Sequence, residues 1–158
     1  MEDPLSPHLT SPWRTPMSSQ AEGPTDGGAV PRSPREPYEE GLKVRREVLG
    51  DAHVDRALAG TTGFTADFQD LITRYAWGEI WTRPGLDRRT RSCITLTALV
   101  ARGHLEELAM HVRAARRNGL TADEIKEVLL QTAVYCGVPA ANSAFAVAQR
   151  VLAEDGDI

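Results

Sequence analysis

The chain has 158 residues, with 18 Lys plus Arg against 22 Asp plus Glu for a net charge of −4, and only 6% aromatic residues. That length suits one domain with a tail, and the near-balanced charge argues against a nucleic-acid or anionic-membrane partner. No apolar run reaches the ~18 residues that a membrane span needs, and the two cysteines, Cys93 and Cys136, fit neither a CxxC nor a zinc pattern. Two reduced thiols in a cytoplasmic protein is the plain reading.

Residues 1–37 hold eight of the ten prolines and show no hydrophobic periodicity. Such a segment cannot bury enough apolar surface to offset its ordering entropy, so a disordered tail is expected there. It lacks the apolar core of a signal peptide and is too poor in arginine for a transit peptide. Residues 38–158 form the expected domain.

Every element expected after residue 37 is helical, about six to seven in all. The first helix starts at Pro37 and stops at Gly50; Asp51 then caps a short helix containing His53 to Leu58. A third runs from Ala66 to about Trp81, with Phe68, Leu71, Ile72 and Tyr75 at helical spacing, and breaks at Arg83-Pro84-Gly85. Asp87 caps the fourth, which ends at Gly103. Leu105, Leu108, Val112 and Ala115 stripe the fifth, stopped by Gly119. Thr121 and Glu124 form a capping box for the sixth, and Gly137 and Pro139 separate it from the seventh. That last helix has Ala140, Ala141, Ala144, Phe145, Ala146, Val147, Ala148, Val151 and Leu152 around nearly its whole circumference. A helix apolar all round is buried all round, which points to a subunit interface and an oligomer.

Two stretches could carry chemistry. The segment YAWGEIWTRPGL, Tyr75 to Leu86, gathers two of the three tryptophans beside a Pro-Gly turn. It either shapes a pocket or closes the core. Arg74, Arg83, Arg88, Arg89 and Arg91 flank it, and arginine both binds carboxylates bidentately and stacks on aromatics. Arg83, in the loop, and Arg91, at the start of the next helix, are the candidate anion ligands, with Trp77 and Trp81 as one wall. On the fifth helix, His104, Glu107 and His111 share one face. That face could hold a metal, pair a carboxylate with an imidazole for proton transfer, or simply be solvated.

Three segments, YEEGLKVRREVLGDAHVDRAL from Tyr38, YAWGEIWTRPGL, and TADEIKEVLLQTAVYCGVPAANSAF from Thr121, resemble in order the carboxymuconolactone decarboxylase family. The resemblance covers roughly Tyr38 to Ala153. It implies the all-α, alkylhydroperoxidase-D-like fold, a homohexamer or other homo-oligomer, and no metal or cofactor. The reaction it implies is decarboxylation of 4-carboxymuconolactone, a small dicarboxylate lactone, to the 3-oxoadipate enol-lactone in protocatechuate catabolism. In that wider superfamily the fifth helix carries Cys-x-x-Cys-x-x-x-His; aligned on His111, both cysteine positions are taken, by His104 and Glu107. Thiol peroxidase chemistry needs an attacking and a resolving thiol, so that alternative weakens. His111 alone carries over, as the expected proton donor, and Glu107, one turn before it, would keep it oriented and charged. Two readings compete: a non-catalytic oligomeric relative, and a helix-turn-helix over Gln131 to Leu152. The second fails on charge, since Ala140 to Arg150 holds one basic residue.

Overall fold

The computed structural model describes residues 35–158. Most of the tail expected over residues 1–37 lies outside the described residues, and its last two, Glu36 and Pro37, already belong to the first helix. The elements are α1 (Glu36–Leu49), α2 (Asp51–Ala59), α3 (Ala66–Ile72), α4 (Arg88–Arg102), α5 (Leu105–Arg117), α6 (Ala122–Tyr135) and α7 (Val138–Glu154), with a π-helical segment (Thr73–Ile80) continuing α3. Among the described residues there is no strand, and no helix is long and apolar enough to cross a membrane.

Local signals fix most helix ends. The Asp87 carboxylate accepts a hydrogen bond from the Thr90 amide at 2.7 Å, and the Thr121–Glu124 capping box forms in both directions, at 2.8 and 3.1 Å. Arg89 ties that box to its surroundings, donating to the Glu124 carboxylate and the Gly119 carbonyl. Asp51 does not cap α2: Gly50 occupies the cap, and Asp51 instead pairs with Arg46 at 3.1 Å.

The side chains bury themselves in two clusters that share α5. Leu96, Val100, Leu108, Val112, Leu120, Ile125, Leu129 and Val151 join α4 to α7. Val44, Val48, Val54 and Trp77 join α1, α2 and the π segment to Ala114 on the other side of α5. Helix α7 is only partly covered within the protomer. Its Ala141, Ala144, Ala148, Val151 and Leu152 are buried, while Asn142, Ser143, Ala146, Gln149 and Arg150 are exposed. Val138 at its start is exposed as well.

The third element differs from the sequence reading. Its last turns widen into a π-helix, closed at the end by the Trp81 amide bonding the Ala76 carbonyl at 3.0 Å. A π turn inserts a residue relative to an α-helix, which re-aims the following side chains. Here it accompanies a close crossing with α1. A Cβ at Gly41 would overlap the Thr73 carbonyl oxygen, and one at Gly78 would overlap the Pro37 carbonyl oxygen. Both obstacles are backbone and cannot swing aside. Helix propensity alone would favour alanine at an interior position by about 1 kcal/mol. Gly41→Ala and Gly78→Ala should nevertheless each lower the unfolding free energy by about 1–3 kcal/mol in denaturant titrations. Unchanged or raised stability in both variants would show that the contact is not made.

Candidate active site

His111 sits on α5 at the seam between the two cores: Ala114 packs into the α1-side cluster and Ala115 into the other. The imidazole is partly buried, and its pKa is pushed down to about 4, first by burial and then by the nearby charge of His53. Glu107 pulls the pKa upward but is outweighed; it is exposed on the preceding turn. The free protein therefore holds His111 neutral at pH 7, which departs from the expectation that Glu107 keeps it charged. His104 stands apart from both, exposed at the N-cap of α5 rather than on the helix. Among the described residues no three His, Cys, Asp or Glu side chains converge as a ligand set for a metal.

His53, whose charge acts on His111, and Arg45, whose charge acts on His53, were not singled out from the sequence. His53, half-buried on α2, has its pKa lowered by burial and then by Arg45, Arg56 and Arg117. Arg45 on α1 is only 4% exposed. Its Nη1 donates to Gln69 Oε1 at 3.0 Å and Thr73 Oγ1 at 3.3 Å, and its buried Nε has no partner among the described residues. Burial lowers its pKa, yet a guanidinium remains charged at neutral pH. Both lie in the segment from Tyr38 that resembles the family, but their placement comes from α1, α2 and α5 meeting in space.

The remaining expected site residues scatter. Trp77 lies in the α1-side core with Val44, Val48 and Ala114, and half-buried Trp81 packs on it with ring centroids 5.2 Å apart at 31°. Trp77 thus closes the core, and only Trp81 reaches a cleft. Arg91 donates to the Arg83 carbonyl at 2.9 Å and so holds the Pro-Gly turn. Exposed Arg83 lines an open cleft of about 490 Å³ with Trp81, Lys43 and Arg88, but also with Glu40, Glu47 and Asp87. Arg88 there is spent on Glu47. Three carboxylates against three cations leave this cleft without net positive charge.

The state of His111 has a measurable consequence. A histidine whose folded pKa lies below its unfolded value of about 6.5 binds fewer protons in the native state. Native stability should then fall as pH drops from about 6.5 through about 4 and show no further loss from this group below that. His111→Asn should flatten that part of the stability–pH curve, and an imidazole titration by NMR should place the His111 midpoint well below that of a free histidine. A midpoint at or above 6.5 would contradict the burial argument.

The profile of the carboxymuconolactone decarboxylase family matches residues 66–150. The chain is 50% identical to a 4-carboxymuconolactone decarboxylase of Acinetobacter baylyi over 119 residues, covering 75% of this chain and 89% of the relative. It is 46% identical to a nitrosuccinic acid decarboxylase of Metarhizium robertsii over 115 residues, covering 73% of this chain and 80% of the relative. A 4-carboxymuconolactone decarboxylase of Pseudomonas putida is 55% identical over 42 residues, which is 27% of this chain and 88% of that sequence.

Proposed function

The chain belongs to the carboxymuconolactone decarboxylase family, and from that premise we propose that it is a cofactor-free carboxy-lyase converting 4-carboxymuconolactone to the 3-oxoadipate enol-lactone. The observation that carries this reading is the 50% identity over 89% of a relative named for that reaction. The fungal relative, named for a different acid, shares the word decarboxylase and so supports the reaction class independently.

The chemistry asks little of the protein. The departing carboxylate is attached to a ring carbon conjugated through C=C to the lactone carbonyl. As the C–C bond breaks, its electron pair flows into that carbonyl and CO2 leaves. One proton then adds to the carbon next to the carbonyl, so a dianion plus a proton becomes a monoanion plus CO2. The substrate is its own electron sink. The protein must bind two carboxylates, stabilise the dienolate and deliver the proton.

His111 is the proposed proton donor. It is neutral in the free protein, so it has to take up its proton when the substrate arrives. A bound dianion favours this, since a negative charge nearby raises an imidazole pKa. Glu107 contributes in the same direction. Of the two expected carboxylate ligands, Arg91 also donates to the Arg83 carbonyl, and Arg83 shares its cleft with Lys43, Arg88 and three carboxylates.

A homo-oligomer, by family resemblance a homohexamer, is also proposed. Its support is the apolar surface this protomer leaves uncovered. Phe64, Phe68, Leu71 and Tyr75 are exposed around α3, as are Ile94, Leu130, Val134, Tyr135 and Val138 around α4 and α6. Large apolar side chains exposed in such number are what a subunit interface would cover.

Purified protein mixed with 4-carboxymuconolactone should release CO2 without added metal or cofactor, and light scattering on the same preparation should give a multiple of 17.3 kDa. His111→Ala should lower kcat by about two to four powers of ten with an unchanged helical spectrum. Full activity in that variant would assign the proton to another group.

A further inference from the structure

A second cleft, of about 620 Å³, opens between α2 and α5, lined by His53 and Arg56 on one side and by Met110, Arg113 and Arg117 on the other. Its volume falls in the range of small-molecule sites. Of its three arginines only Arg113 is held by carboxylates. Arg46, Arg74, Arg88, Arg89, Arg113 and Arg116 each pair with a carboxylate. Arg56 has no ion pair among the described residues, and the Arg117 guanidinium donates only to the Leu49 carbonyl, at 3.1 Å. Both act on His53, and so does buried Arg45 behind it.

The cleft therefore sets positive charge around a half-buried imidazole whose own charge acts on His111, which is not itself among the cleft's lining residues. Of its two carboxylates, Asp51 is already paired with Arg46, which leaves Glu106. The Trp81–Arg83 cleft has no such excess, with Lys43, Arg83 and Arg88 set against Glu40, Glu47 and Asp87.

We propose that the α2/α5 cleft is the dicarboxylate site, with Arg56 and Arg117 as carboxylate ligands and His53 as the positioning residue that links the bound anion to His111. This rests on the decarboxylase reading and names the anchors that reading lacks. It also supplies a coupling. The groups facing His53 are Arg45 from α1, Arg56 from its own helix, and His111 and Arg117 from α5. An anion between Arg56 and Arg117 offsets their charges, and both imidazoles then hold a proton more readily. Binding would load the proton that catalysis uses.

The test uses succinate as a non-reacting dicarboxylate, with the His53 and His111 ring protons followed by NMR in the full-length protein. Succinate should raise both histidine midpoints in the wild type. In Arg56→Gln its affinity should drop about ten- to a hundred-fold, and KM for the lactone should rise similarly while kcat changes little. Arg150→Gln, which removes one exposed positive charge on α7, should leave both unchanged. His53→Gln should raise the His111 midpoint in the free protein and weaken the succinate response. Histidine titrations insensitive to succinate would overturn the proposal, as would a KM for Arg56→Gln within twofold of wild type. If succinate moves the histidines but the wild type releases no CO2 from the lactone, the anion site stands and the proposed substrate falls.

Discussion

The architecture around the candidate site depends on one close approach, the crossing of α1 over the π-helical segment. With no side chain at Gly41 or Gly78, the two backbones meet at van der Waals range. That proximity lets Arg45 reach Gln69 and Thr73 and stacks Val44 and Val48 on Trp77. It also sets where α1 ends, and hence where Gly50 turns the chain into α2 and presents His53. A methyl group at either glycine would push α1 outward, and both the buried guanidinium and the histidine would lose their placement.

The second constraint is electrostatic. Helix α5 is packed on both sides, so its one histidine at the seam is stripped of water and held neutral. His53, whose charge acts on it, is the imidazole set amid arginines without carboxylate partners. Low local polarity makes the approach of a dicarboxylate count for more than it would in water. Desolvation also favours a reaction in which localised carboxylate charge spreads into a ring, provided the charge is compensated by fixed groups rather than by water.

Much of the fold was legible in the sequence because its signals are local. The Asp87 cap and the Thr121–Glu124 box need only residues three apart, and the Leu105, Leu108, Val112 stripe needs only the helical repeat. The π segment was not legible, since Thr73 to Ile80 reads as ordinary helix until α1 is laid against it. For α7, periodicity counts every alanine as apolar and does not say which of them the protomer itself buries; Ala146 is exposed. At the site, His111 could be located from a family pattern but not its protonation, which depends on burial and on His53. Arg83 and Arg91 were chosen by proximity to the tryptophans along the chain. The arginines without carboxylate partners around His53 come from α1, α2 and α5, separated by up to 72 positions (Arg45 to Arg117), and no motif joins them.

The most direct test follows both the carbon and the proton. The protein would be mixed in D2O with 4-carboxymuconolactone carrying 13C in the ring-attached carboxylate, and the products read by NMR. All of the label should leave as CO2 and bicarbonate. The enol-lactone formed should carry one deuterium on the carbon next to the lactone carbonyl. Label retained in a ring-opened tricarboxylate would mean that the protein hydrolyses the lactone rather than decarboxylating it, and would contradict the decarboxylase reading.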